Sequence, residues 1–70
     1  MAQVRCIFGA HYKRHNGNQC DWGECEVWLP ENEAWAVNND AAARERIFRS
    51  HFPTAEYVSA VSMRLMETRR

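Results

Sequence analysis

Seventy residues with zero net charge, 46% hydrophobic and 26% charged, describe one compact domain over residues 1–70, too apolar for a disordered tail and too short for a separate substrate domain. No apolar run reaches membrane-spanning length, and Met1 to Arg5 lack the charged head and long apolar middle of a signal peptide, which places the chain in a cytosol with no membrane partner. Cys6, Cys20 and Cys25 make an odd number without an export signal, which favours reduced thiols over a disulfide framework.

In chain order, residues 4–15 alternate Val4, Cys6, Phe8, Ala10 and Tyr12 with Arg5, Ile7, Gly9, His11 and Lys13, the period of a strand. Asn16-Gly17 then supplies the positive φ angles of a two-residue type I′ turn, and a second strand follows over about residues 18–29. That turn sets the register, because His15 then faces Asn18 and the remaining pairs follow. Val4 faces Leu29, Cys6 faces Val27, Phe8 faces Cys25 and Ala10 faces Gly23, all apolar or small. On the other face Arg5 meets Trp28, Ile7 meets Glu26, Gly9 meets Glu24, His11 meets Trp22 and Lys13 meets Cys20. Two independent alternations agreeing in one register support the hairpin more than either strand does alone.

Pro30 to Glu33 read as a second turn, followed by a short third strand, Trp35-Ala36-Val37, with Trp35 and Val37 toward the core. Asn39 or Asp40 is an N-cap for a helix in "AAARERIFRSHF", whose stripe of Ala43, Ile47, Phe48, His51 and Phe52 should lie on the sheet and which Pro53 ends. His51 is expected to be partly buried in that packing. Residues 57–65 alternate again as Tyr57, Ser59, Val61, Met63 and Leu65, a last strand. The expected fold class is therefore α+β, a single mostly antiparallel sheet of about four strands in the order β-β-β-α-β with one helix packed on one face.

The charges are segregated. Residues 1–19 carry only Arg5, Lys13 and Arg14, and residues 20–40 carry only the acids Asp21, Glu24, Glu26, Glu31, Glu33 and Asp40. The rest is net basic. Such blocks make either a bipolar surface or, where strands lie antiparallel, neighbours that neutralise each other.

Cys6, His11, His15, Cys20 and Cys25 have a spacing close to a zinc pattern, but the register puts Cys6 and Cys25 on the core face and His11, His15 and Cys20 on the other. Only the surface trio His11, His15 and Cys20 survives as a weak metal candidate, and the two core-face cysteines read as small hydrophobes. A nucleophilic pair of Cys20 with either histidine lacks a third group, and Glu24 and Glu26 merely alternate on a strand. The chain is expected not to be an enzyme and to need no cofactor. Binding is what the outer face suggests. Arg5, His11, Lys13, Arg14, Trp22 and Trp28 form a strip of cations and aromatics, with Arg46 and Arg49 as a second basic surface on the helix. Such a strip fits a protein partner, a direct nucleic-acid contact through stacked bases, or a homodimer through the same face.

This layout, with no catalytic constellation, a stop soon after the last strand and the run "NNDAAARERIFRSHFPTAEYVSAVSMRL", resembles the small proteins encoded by phages and prophages. Among these it is similar in size and layout to anti-CRISPR proteins with one helix packed on an antiparallel sheet. The resemblance assigns no individual residue. It implies a non-enzymatic inhibitor in the host cytoplasm that occupies a surface of a host protein or ribonucleoprotein complex, a CRISPR effector, and blocks target-DNA binding or nuclease recruitment. The residue reading also leaves open a small, possibly regulatory, nucleic-acid-binding protein that uses the aromatic-cation face.

Overall fold

The computed structural model describes residues 2–14 and 16–70. The elements are β1 (Gln3–Arg14), β2 (Asp21–Pro30), α1 (Glu31–Asn38), α2 (Ala41–His51), β3 (Ala55–Val58) and β4 (Ser62–Arg69). All pairings are antiparallel and centre on β1: β2 runs along one side of it, while β4 and β3 share the other, β4 from Gln3 to Gly9 and β3 from Tyr12 to Arg14. The result is a four-stranded α+β sheet protein, as expected. It has two helices instead of one, and the order is β-β-α-α-β-β.

The β1–β2 register is the expected one through all ten pairs, from Gln3↔Pro30 to Tyr12↔Asp21. The even positions of β1 from Val4 to Tyr12 are therefore all buried, Val4, Cys6, Phe8, Ala10 and Tyr12, with Leu29 buried and Cys25 and Val27 packed at the margin. The helices cover this face. Phe8 and Phe48 both lie in the core at zero exposure, each contributing roughly 1.5–3 kcal/mol by leaving water.

Several expectations need correction. The turn is not the two-residue type I′: Asn16 has φ 64°, but Gly17 has no positive φ, and its N–H donates to the Arg14 carbonyl at 2.9 Å. Pairing with β2 stops at Tyr12, so Lys13 does not face Cys20; Lys13 and Arg14 pair with β3 instead. The expected His15–Asn18 pair involves His15, which lies outside the described residues.

The third strand at Trp35 is a helix. Pro30 stands at its N-cap with φ −54° and ψ 144°, Glu31 and Glu33 fill the first turn where carboxylates favour the helix dipole, and the Glu31 N–H donates to the Ala2 carbonyl. The buried positions are Ala34 and Val37, one helical turn apart, so Trp35 points outward at 56% exposure.

The last strand is two strands. At the break, the Ser59 N–H donates to the His11 carbonyl and the Ser59 hydroxyl accepts from the His11 N–H, so β1 keeps its hydrogen bonds without a strand partner. Side-chain phase shifts by one across this break: Val58 and Val61 are buried, Met63 and Leu65 pack beside the core, and Tyr57 is exposed.

The α2 cap is Asp40, whose carboxylate accepts from the Ala42 and Ala43 N–H groups. Ala43 and Phe48 are buried and Ile47 and Phe52 pack at the edge, as the stripe required, whereas His51 is exposed, with Nδ1 3.1 Å from the Ile47 carbonyl. Arg44 ties the helices to the sheet. Its Nη1 donates to the Asn38 carbonyl at 2.6 Å and to Val37, and its Nε donates to Val61, supplying the cation that the last turn of α1 lacks.

Candidate functional site

Among the described residues, the sheet's other face carries no helix. The molecule measures 42 × 18 × 15 Å, so two short helices can cover one side of the sheet and leave the odd positions of β1 open. Three parallel rows of side chains fill that open face: Trp22, Glu24, Glu26 and Trp28 on β2; Arg5, Ile7, Gly9 and His11 on β1; and Ser62, Arg64, Glu67 and Arg69 on β4.

The rows interlock. The Arg5 Nε donates to Glu26 at 2.9 Å and its Nη1 to Glu67 at 3.1 Å, while Arg64 reaches across β1 to Glu24 at 3.1 Å. Hydrogen bonds to Glu26 and then Glu67 raise the Arg5 pKa above its ordinary value. The Arg69 guanidinium lies 4.3 Å from the centre of the Trp28 ring, a cation–π contact. Glycine at position 9 leaves room for Trp22, since a Cβ there would sit 2.6 Å from Trp22 Cζ2 and 3.4 Å from Glu24 Cγ. Trp22 lies over that bare backbone, edge-on to His11 at 4.9 Å between ring centres, and is still 53% exposed. Of the two readings of the segregated charge, cross-strand neutralisation describes Glu24 and Glu26.

Of the sequence-derived site residues, Arg5, His11, Trp22 and Trp28 share this face. Lys13 continues it beyond His11, opposite Tyr57, which is itself 53% exposed. Arg14 is exposed at the end of β1, its pKa raised by a hydrogen bond to the Tyr12 side chain and then by nearby Asp21. With Lys13, Tyr57 and the loop after β1, it lines an open groove of about 500 Å³. On α2, Arg46 is exposed and Arg49 is half-buried, bonded to Glu45 and to the Ala55 carbonyl.

The metal candidate is not assembled by the described residues: no group of three His, Cys, Asp or Glu side chains there is placed to hold an ion, and His15 lies outside them. Cys20 is exposed in the loop beyond the paired part of β2. Cys6 and Cys25 are free thiols on the core face, as expected, and burial pushes both their pKa values up.

The sequence reading missed Tyr57, hidden by the unrecognised strand break, and Trp35, hidden by the strand assignment. The signal for Trp35 was the Pro-Glu-x-Glu helix start, whereas the alternation of residues 57–65 carried no mark of the break that exposes Tyr57. Fold and face define a small antiparallel α+β protein with one uncovered sheet surface. Comparison with known proteins returns no matching family, no matching curated protein and no matching solved structure.

Proposed function

We propose that the protein is a non-enzymatic binding protein that acts by occupying a surface of a host nucleoprotein complex, in the manner of the anti-CRISPR proteins that its sequence resembles in size. The observation that supports this reading is Trp22, half exposed beside His11 on a sheet face that no element covers. Tryptophan is the residue type most enriched among binding hot spots, and exposed aromatics on so small a domain call for a partner. The host cytoplasm is the compartment in which such a partner is met.

A purified CRISPR effector complex mixed with the protein tests the proposal. Co-elution at fixed stoichiometry with loss of target-DNA binding or nuclease recruitment is expected, weakened by Trp22→Ala and by joint Lys13→Glu and Arg14→Glu in variants that keep the native circular dichroism spectrum. An effector that keeps full activity in excess protein rejects it. Direct binding of single-stranded nucleic acid is the second reading, favoured by Trp22 and Tyr57 exposed on either side of β1 near Lys13. Salt-sensitive binding of a labelled oligonucleotide by the isolated protein would select it.

A further inference from the structure

The two edges of the sheet are built differently. On the β4 side, β4 is bulged opposite Arg5, where two residues stand against one, and β3 is only four residues long with its own irregularity at Lys13/Arg14. Short strands and bulges are the usual guards against an edge pairing with another chain. Strand β2 has neither. It is ten residues long, its ladder to β1 is unbroken, it contains no lysine or arginine, and its one proline is its last residue, Pro30. The charged side chains along its middle do not fence the edge, because Glu24 and Glu26 lean back over the sheet to Arg64 and Arg5, and its third acid, Asp21, stands at its first position.

The side chains along this open edge have a definite chemistry. On the outer face they run Trp22, Glu24, Glu26, Trp28, two carboxylates bracketed by two indoles. On the helix side, Cys25 and Val27 are only partly buried. A strand laid against β2 therefore offers alternate residues to carboxylates and aromatic rings, and the residues between them to an apolar margin. Lysine or arginine suits the first set: Glu24 and Glu26, each bonded to one arginine on the sheet side, can take a second cation from the edge side, and the half-exposed Trp22 ring offers a cation–π face. A second copy of β2 suits it less, because the face-matched antiparallel pairings of greatest overlap, centred on Cys25 or Glu26, set a glutamate against a glutamate of the copy, and facing like charges are destabilising.

We propose that β2 is a docking edge for an extended basic segment of a partner protein, one that alternates Lys or Arg with apolar residues and adds to the sheet as a further strand. This rests on the reading of the chain as a binding protein and names the chemistry of its partner.

The test uses the isotope-labelled full chain and three soluble peptides: one alternating lysine with valine and threonine, the same peptide with glutamate for lysine, and the lysine peptide N-methylated on the amides that would bond to β2. The lysine peptide should shift the amide resonances of residues 21–29. The glutamate and N-methylated peptides should bind about tenfold more weakly or not at all, and joint Glu24→Lys and Glu26→Lys should weaken the lysine peptide by about tenfold. The N-methylated peptide leaves the protein untouched, so the result stands even if the double variant does not fold. Equal binding of all three peptides, no binding of the lysine peptide, shifts located away from β2, or a chain that sediments as a dimer with β2 protected would each overturn the proposal. If it falls while Trp22→Ala still abolishes capture of the effector complex, the binding reading survives and only the β2 edge is lost.

Discussion

Gly23 and Gly9 lie on neighbouring strands on opposite faces of the sheet, and an alanine at each should have opposite consequences. A Cβ on Gly23 would stand 2.9 Å from both Phe52 Cζ and Tyr12 Cε1, and 3.0 Å from Phe52 Cε1. Those rings have little room to retreat: Phe52 stacks on Phe48 at 4.5 Å and tilts against Tyr12 at 5.1 Å, and Tyr12 and Phe48 are buried. Overpacking of this kind costs about 1–3 kcal/mol, more than the roughly 0.5–1 kcal/mol that alanine recovers from glycine's backbone entropy. At about 4–8 °C per kcal/mol for a domain of this size, Gly23→Ala should lower Tm by roughly 5–15 °C. A Cβ on Gly9 meets only Trp22 and Glu24, whose side chains can swing into solvent. Gly9→Ala should therefore leave Tm within about 3 °C while shifting the tryptophan emission as Trp22 lifts off the sheet. Thermal unfolding followed by circular dichroism and fluorescence checks both. A Gly23→Ala protein as stable as the parent, or a Gly9→Ala protein that loses more stability than Gly23→Ala, refutes the face assignment.

Arg44→Ala should destabilise by about 2 kcal/mol in urea unfolding, because it strips a charged donor from three backbone carbonyls, whereas Arg64→Ala, losing an exposed ion pair, should change stability by less than about 1 kcal/mol. Asp40→Ala removes the acceptor for two N–H groups at the start of α2 and should cost about 1 kcal/mol in the same assay. With a thiol reagent near neutral pH, exposed Cys20 should label first and Cys6 only on unfolding. Burial raises the folded pKa of Cys6 and Cys25 above the ordinary thiol value of 9.0, so the unfolded chain loses these protons first. Their contribution to stability is complete below about pH 9 and should decline as pH rises beyond it, which urea midpoints measured between neutral and alkaline pH would show.

The hairpin was legible because two alternating strands agreed in one register, and a one-residue slip would have turned Phe8 and Cys6 out to water. The detail of its turn was not. Tertiary pairing claims the end of β1 for β3, and no property of Asn16-Gly17 announces that competition. The stretch from Glu31 to Asn38 was misread because Trp35 and Val37 satisfy a period of two as well as Ala34 and Val37 satisfy a helical turn. Pro30 and two early glutamates were the better guide. Residues 57–65 carried an unbroken alternation that the fold interrupts, and one serine that satisfies both backbone groups of His11 is enough to permit the break. Four of the candidate site residues were correctly placed on one face. The inward turn of Arg49 and the exposure of Tyr57 and Trp35 depended on packing partners far away in sequence.

Hydrogen exchange of the free protein against the protein bound to the proposed effector complex tests the central claim most directly. Binding through the open sheet predicts slowed exchange along residues 21–29 and at His11 and Lys13, with α2 unchanged. Protection confined to α2 around Arg46, with β2 exchanging as fast as in the free protein, would contradict it.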